Sequence, residues 1–281
     1  MTTKKIREAI KQILGNAFFI VSIFIALIPI LYALSVSLSA DSSLLSSNFS
    51  FIPKNFTLSS YKSVFTDRSI GVWFGNTVYL SLMTVLLSLG TTIPAAYVFS
   101  RWSFSGRKGI LKVLILLYSF PSILSMFALY RLMSRLGLIN THIGLIIIYA
   151  GTMSVFSLWN LKGYFDTIPV EIEEAAKIDG ATDRKIVSRI VMPLARPSII
   201  VTMTMVLNYV WNEYIFSINF LTGSQNTTLA SGLYSLQATE KSGSWPVFAA
   251  ASIVVSIPVL IIFFMTQKYM TSGLTSGGVK G

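Results

Sequence analysis

The sequence predicts an all-α integral membrane protein with six transmembrane helices. Hydrophobic residues make up 53% of the 281 positions and charged residues only 12%, whereas charged residues are about 25% of a typical soluble domain. The mean hydropathy is +0.68, and apolar runs long enough to cross a bilayer alternate with polar segments along the chain. So few charges cannot cover the surface of a globular domain, which excludes a soluble enzyme.

The six predicted spans follow one another from the N-terminus. The first starts after four basic residues and is longer than the apolar core of a secretory signal, so we expect it to be retained; a cleaved leader is the alternative. Internal prolines such as Pro121 favour kinked helices around a cavity. Ser119 and Ser122 beside it could line that cavity, but satisfying backbone groups is the favoured interpretation. The spans are residues 13–34, 73–99, 110–130, 143–159, 197–220 and 247–265.

Basic residues divide unevenly between the alternating loops, and this division predicts the orientation. Sixteen Lys and Arg residues lie on the side that includes both ends of the chain, and six lie on the other. Because cytoplasmic loops contain the excess of Lys and Arg, both termini are predicted to be cytoplasmic. The net charge of +11 is then explained without nucleic acid, and no segment has the arginine-, glycine- and aromatic-rich composition of an RNA-binding region.

Metal and thiol chemistry have few candidate residues in this chain. It contains no cysteine and one histidine, which excludes disulfides, a thiol nucleophile and a zinc site rich in cysteine or histidine. No glycine-rich loop ending in Lys-Ser or Lys-Thr is present, so the chain lacks a phosphate-binding loop. We therefore expect no catalytic residue, no metal site and no cofactor bound by this chain.

The polar segment between the fourth and fifth spans, residues 161–196, is rich in charge. It contains six basic and six acidic residues, and its sequence predicts a helix, a break and a second helix. Asp166 or Thr167 would cap the first helix, with Pro169 in its first turn. Gly180 would end that helix in a left-handed conformation, for which glycine is suited.

The second helix of this segment would begin at Thr182 and stop at Pro193. On the first helix, Ala175 and Ala176 are adjacent and leave no bulk, so a partner could approach closely. Two interpretations are open at this point: a helix that docks on a partner protein, and an amphipathic connector that lies on the membrane surface.

The same segment resembles the EAA loop of the membrane subunits of binding-protein-dependent ABC importers. The spacing of Glu-Ala-Ala, three residues, Gly, nine residues, Ile and a following Pro is that of the family, and only Met192 stands where leucine is usual, a change that conserves volume. The resemblance implies a coupling helix that docks in a groove of a cytoplasmic ATPase subunit. The residues it assigns to ATPase coupling are Glu174, Ala175, Ala176, Asp179, Gly180, Ala181, Ile190 and Pro193.

A further resemblance extends over nearly the whole chain, to the maltose-type sugar permease subunit that lacks a large extracellular domain. It implies the type I ABC importer permease fold and a multi-pass location in the bacterial cytoplasmic (inner) membrane. The segments that support it are residues 76–77, 211–214, 267–269, 273–275 and 278–281.

The resemblance also implies the partners. They are a second homologous permease subunit, two cytoplasmic ABC ATPase subunits that bind ATP and Mg²⁺, an extracellular or periplasmic solute-binding protein, and an oligosaccharide substrate. An ABC permease for a non-sugar solute is the nearest alternative. A stand-alone secondary carrier would need a coupling-ion site and commonly has internal repeats, and a membrane-embedded enzyme would need a nucleophile and base or a metal cluster; the sequence has none of these.

Span 5 contains Glu213, the only acidic residue within a predicted span. Ionisable groups in a membrane are costly and are therefore functional candidates. Amide, acid and aromatic groups recur beside it at helical spacing and suit the hydroxyls and apolar face of a sugar. The alternatives are an aromatic belt for Trp211 and Tyr214, and helix-to-helix hydrogen bonds for the amides. The predicted substrate-path residues are Asn208, Tyr209, Trp211, Asn212, Glu213 and Tyr214.

Overall fold

The computed structural model describes residues 3–40, 51–53, 55–66, 69–238 and 245–276, and the regular structure of these residues is helical apart from one isolated β-bridge. The end of the C-terminal segment used in the resemblance, residues 278–281, lies outside the described residues. A π-helical segment, Val187–Val191, separates α8 from α9. The helices are α1 (Thr3–Ser37), α2 (Ser59–Thr66), α3 (Ile70–Arg101), α4 (Arg107–Ser119), α5 (Ser122–Arg135), α6 (His142–Phe165), α7 (Glu171–Ile178), α8 (Asp183–Ile186), α9 (Met192–Asn212), α10 (Ile215–Phe220), α11 (Leu229–Ala238) and α12 (Trp245–Ser276).

Five helical stretches among the described residues are long and apolar enough to cross a membrane, and a sixth crossing results if α4 and α5 form one broken span. Each stretch overlaps a predicted span. The predicted all-α membrane class is therefore confirmed. The five stretches are Ile10–Ser37, Ile70–Arg101, His142–Phe165, Asp183–Asn212 and Trp245–Met270.

The predicted third span is not one continuous helix. α4 and α5 meet at an angle of 97°, and Phe120 between them is extended, with φ −73° and ψ 130°. Pro121 explains the break, because its ring disfavours the helical conformation at the preceding residue and its nitrogen donates no hydrogen bond. The carbonyl of Leu117, which lacks the bond that residue 121 would donate in a helix, accepts from the Phe120 N–H at 3.2 Å, while the Ser119 hydroxyl donates one turn back, to the carbonyl of Ile115 at 2.9 Å.

The predicted fifth span differs at both ends, so a continuous helix over residues 197–220 is wrong. α9 ends at Asn212, Glu213 is extended with φ −77° and ψ 119°, and the short α10 follows. At the other end, Pro193 does not stop a helix but lies in the first turn of α9. Pro193 directly follows the π-helical segment, where Met192 N–H donates to the Val187 carbonyl five residues back, and this departure from the regular bonding pattern accommodates a residue without an N–H.

The chain divides into two compact units, Met1–Ser69 with Leu233–Ser256 and Ile70–Gly232 with Ile257–Gly281. In the first unit, the apolar side chains of α1 are largely exposed, as suits a helix whose surroundings are lipid or another membrane protein. The chain after α1 folds back on its end, since the hydroxyls of Ser37 and Tyr61 lie 2.9 Å apart.

In the second unit, α3, α6 and α9 pack against one another. The hydroxyls of Ser88 and Ser157 lie 3.4 Å apart between α3 and α6, and the Asn160 amide donates to Thr202 of α9 at 2.7 Å. Small polar residues let membrane helices approach closely and bond across the interface. The core continues into the predicted coupling loop, which is therefore packed onto the helices. Its buried residues there are Leu161, Phe165, Ile168, Ile186, Val191 and Ala195.

Candidate functional site

The helix at the centre of the loop, α7, ends in the left-handed turn that the sequence predicts. Gly180 has a φ of +81°. Its N–H donates to the Lys177 carbonyl at 3.0 Å, and the N–H of Ala181 donates to the Ala176 carbonyl at 2.9 Å, which are the two bonds of a Schellman motif. A Cβ added at Gly180 would have no atom within 4 Å, so within this chain the requirement for glycine comes from the backbone conformation.

The residues assigned to coupling divide into an inward and an exposed set. Ala176 and Ala181 are half-buried against the core, and Ile190 is half-buried as well. The outer surface of the turn is small and acidic, and Ile178 beside it is 88% exposed. The exposed set is Glu174, Ala175, Asp179, Gly180 and Pro193.

The helix caps in this loop agree with the sequence in one case and differ in the other. Thr182 caps α8 by accepting a hydrogen bond from the backbone N–H three residues later, at 3.4 Å. α7, however, begins after Val170 with no side-chain cap, and Asp166 instead follows the last residue of α6. The cap predicted from Asp166 or Thr167 is wrong because α6 continues too far along the chain for either residue to reach α7.

A cavity of about 350 Å³ opens where α9 ends, bordered by the start of α5 and the start of α10. This volume lies within the range of small-molecule sites, roughly 300–1,000 Å³. Five of the six predicted substrate-path residues line it, and so does Ser122, for which lining the cavity is the less favoured of two interpretations from the sequence. The lining residues are Ser122, Ile123, Asn208, Tyr209, Asn212, Glu213, Tyr214, Ile215 and Phe216.

The carboxylate of Glu213 supports the break between α9 and α10. Its Oε1 accepts from the N–H of Phe216 at 2.8 Å, and its Oε2 accepts from the N–H of Ser217 at 3.3 Å and from the Tyr149 hydroxyl. The first N–H groups of a helix have no partner within that helix, and an acidic side chain satisfies them well. Glu213 therefore stabilises the start of α10 and fixes one wall of the cavity.

Trp211 is the predicted substrate-path residue that does not line the cavity. It is 5% exposed, and its ring stands edge-on to that of Phe74 on α3 at 5.9 Å. With 3.6 residues per turn, Asn208 and Asn212 share a face of α9 and Trp211 lies to one side of it. The Asn212 amide donates to the Asn208 carbonyl at 2.8 Å, and both residues remain exposed.

Comparison with known proteins identifies the family. Residues 92–272 match the family described as "Binding-protein-dependent transport system inner membrane component". The chain belongs to this family. The match spans well over half of the chain and includes both the coupling loop and the residues of α9 and α10 at the cavity. The predicted location in the inner membrane is thereby confirmed.

Two relatives of this permease are named for the sugars they transport. It is similar to the galactooligosaccharides transport system permease protein GanQ of Bacillus subtilis (strain 168), with 35% identity over 280 residues that cover 99% of this chain and 98% of that protein. It is also similar to the maltodextrin transport system permease protein MdxG of the same organism, with 33% identity over 227 residues that cover 81% of this chain and 82% of that one.

A solved structure supports the permease fold. A chain of a bacterial ABC transporter involved in the import of the acidic polysaccharide alginate has a TM-score of 0.79 to this permease at 24% identity, with 94% of this chain and 97% of that chain covered. At this identity the likeness concerns the fold. The predicted ABC importer permease fold is confirmed.

Sequence reasoning missed two residues of this permease. Tyr149 lies in an apolar span, where a phenol needs a partner, and the lone intramembrane acid Glu213 could have suggested the pair. Glu173 is one of three acidic residues in the first turn of α7, but unlike the other two it is buried, with 6% exposure, and forms an ion pair with Arg101. Its spacing of three residues from the inward-facing Ala176 is the one sequence feature that indicates its direction.

Proposed function

We propose that this chain is the permease subunit of an ATP-driven importer for a neutral oligosaccharide, which a binding protein delivers from outside the cytoplasmic membrane. The cavity at the break between α9 and α10 is the observation that supports this proposal. It combines amide, phenol and carboxylate groups with the apolar side chains of Ile123, Ile215 and Phe216. A sugar has hydroxyls at its edges and apolar faces, and such a mixed lining suits both.

The charge of the cavity favours a neutral sugar over an acidic one. Glu213 is the one charged residue among the described residues that line it. A substrate with carboxylates would be repelled by this group, and the repulsion is stronger in a membrane than in water because the dielectric constant is lower. The names of GanQ and MdxG, which refer to neutral sugars, support the same choice.

In this proposal, ATP hydrolysis by partner subunits drives transport. Because the sequence has no phosphate-binding loop, ATP and Mg²⁺ would be bound by two cytoplasmic ABC ATPase subunits, one on this chain and one on a second homologous permease subunit. The exposed surface around Glu174, Ala175 and Asp179 is the docking site in this proposal, and the inward-facing Ala176 and Ala181 hold the docking helix against the core.

The transport proposal is tested with the purified complex in proteoliposomes. We expect uptake of labelled maltodextrin or galactooligosaccharide that requires ATP inside the vesicles and the binding protein on the outer face, and much weaker uptake of uronate oligosaccharides of equal length. Uptake by this chain alone without ATP would instead identify a secondary carrier. Uptake of uronates at the rate of neutral sugars would show that the charge of Glu213 does not select against acidic sugars.

The proposed orientation places both termini and α7 in the cytoplasm. Since the chain has no cysteine, single substitutions such as Lys62→Cys on α2 and Lys177→Cys on α7 provide unique labelling sites, and both positions are exposed. A membrane-impermeant maleimide is expected to label Lys62→Cys in intact cells and to label Lys177→Cys only after permeabilisation. The reverse pattern would overturn the orientation derived from the positive-inside rule.

A further inference from the structure

Of the three acidic residues in α7, only Glu173 is buried. Arg101, the last residue of α3, donates from Nε to Glu173 Oε1 at 2.6 Å, and the Tyr97 hydroxyl donates to Glu173 Oε2 at 2.6 Å. The side chains of Arg101 and Glu173 are 9% and 8% exposed. Both oxygens of this carboxylate are therefore bound to α3, and we refer to Tyr97, Arg101 and Glu173 as the link cluster.

The end of α3 also holds the turn that leads into α7. Arg101 Nη2 donates to the Ile168 carbonyl at 3.0 Å, and the Ser100 hydroxyl donates to Asp166 Oδ1 at 2.7 Å. The donors lie in the last turn of α3 and the acceptors lie in the turn between α6 and α7. The end of α3 is therefore hydrogen-bonded both to α7 and to the turn that precedes it.

The covalent connections of α7 are less rigid than these contacts. Towards α9, the chain passes through the left-handed turn at Gly180 before α8 begins at Asp183, so the helix of α7 does not continue. Towards α6, the non-helical residues 166–170 intervene. A displacement of α7 would be absorbed by bending at these points unless side chains fastened α7 to a membrane helix.

We infer that the link cluster is the mechanical connection through which a displacement of α7 reaches α3. The inference rests on the proposed function of α7 as the docking helix. A charge-assisted bond fixes geometry when each partner makes a further hydrogen bond, as Glu173 does with the Tyr97 hydroxyl and Arg101 with the Ile168 carbonyl. Burial protects the pair from screening by salt. The Lys177–Asp183 pair of the same loop differs in this respect, because it is 3.3 Å long with side chains 61% and 81% exposed, and such surface pairs constrain little.

The link cluster gives α7 two faces with different tasks. Its exposed face meets the partner, and its inner face transmits movement to α3. α3 packs on α9, which contributes Asn208, Tyr209 and Asn212 to the cavity lining, so a movement of α3 would reach the cavity. Tyr97, Arg101 and Glu173 are positioning residues in this scheme, since none of them lines the cavity.

The test measures the amount of sugar transported per ATP hydrolysed, in full complexes reconstituted in proteoliposomes. Arg101→Gln and Glu173→Gln each remove the charge pair, Tyr97→Phe removes one hydrogen bond, and the double exchange Arg101→Glu with Glu173→Arg restores opposite charges. Arg107→Gln is the matched control, because this nearby arginine bonds to the Trp102 carbonyl and, within the part of the chain that the structure describes, to no acidic residue. Gly180→Ile, which alters the docking surface itself, is the positive reference.

We expect assembled Arg101→Gln and Glu173→Gln complexes to hydrolyse ATP. The amount of sugar that they transport per ATP should fall by a factor of about five or more. Tyr97→Phe should cause a smaller loss, the double exchange should recover part of the ratio, and Arg107→Gln should keep it. A purely structural role would lower the yield of complex and leave the ratio of the assembled fraction unchanged, which would overturn the inference.

Two further outcomes separate this inference from the proposed function. If Gly180→Ile uncouples the complex while the assembled link-cluster variants keep the parental ratio, the link is wrong and the docking role of α7 stands. If neither set changes the ratio, the docking role fails as well. Should the charge-removing variants fail to assemble, Tyr97→Phe decides, since it keeps the ion pair, and a parental ratio in that variant overturns the link.

Discussion

Replacing Gly180 with isoleucine is expected to leave the permease complex assembled and to uncouple ATP hydrolysis from transport. Gly180 has a φ of +81°, a conformation that costs an ordinary L-residue about 1–2 kcal/mol, and a β-branched residue resists it further. Relief of this strain would change the turn that ends α7 and displace the exposed surface around Asp179. Because 1.4 kcal/mol corresponds to a factor of ten, sugar transported per ATP should fall roughly tenfold in proteoliposomes.

Two variants control this experiment. Gly180→Asn places a side chain at the same position but tolerates the left-handed conformation, so it should keep most of the coupling. Gly90→Ala adds a methyl group on α3, where a Cβ has open space and the backbone is helical, and should have no effect. Parental coupling in Gly180→Ile would show that α7 is not the docking surface. Equal losses in the Asn and Ile variants would mean that bulk at the surface, and not the backbone, is the cause.

The features that followed from the sequence are those set by local chemistry or by the membrane. Runs of apolar residues predict membrane spans because polar side chains are costly in the hydrocarbon core of a bilayer. The helices of the structure overlap these predicted spans. The left-handed turn that ends α7 is occupied by Gly180, because other residues would be strained in that conformation. Thr182 caps α8 by accepting a hydrogen bond from a backbone N–H only three residues away. Neither feature depends on distant parts of the chain.

The features that the sequence did not predict depend on contacts between distant residues. The break after Asn212 has no proline or glycine beside it, and it is supported by the bonds of Glu213 to α10 and to Tyr149, a residue 64 positions away. Glu173 resembles its acidic neighbours in sequence, and only its pairing with Arg101 distinguishes it. Helical spacing places Trp211 next to the face of Asn208 and Asn212, but the position of α3 beside it determines that its ring is buried.

Replacing Glu213 with glutamine is expected to lower both the thermal stability of the complex and its rate of transport. The two carboxylate oxygens accept three hydrogen bonds. Glutamine has one oxygen, and its NH₂ group would face a donor, so at least one partly buried donor loses its acceptor at a cost of about 1–3 kcal/mol. The start of α10 would loosen, and with it the cavity wall that includes Phe216. Transport should therefore fall roughly tenfold or more.

Matched variants separate support of the helix break from contact with the substrate. Tyr149→Phe removes one donor and leaves both backbone N–H groups bonded to Glu213, so its effect should be smaller. Asn212→Ala removes an exposed amide that lines the cavity and donates to Asn208, and takes no part in the hydrogen bonds of Glu213. This variant should reduce transport while the melting temperature stays unchanged. Trp211→Ala removes a buried ring and should lower stability and yield first. If the Glu213→Gln complex is less stable but transports sugar at the parental rate, Glu213 supports the fold without contributing to the substrate path. If neither stability nor transport falls, the helix break does not depend on the Glu213 carboxylate.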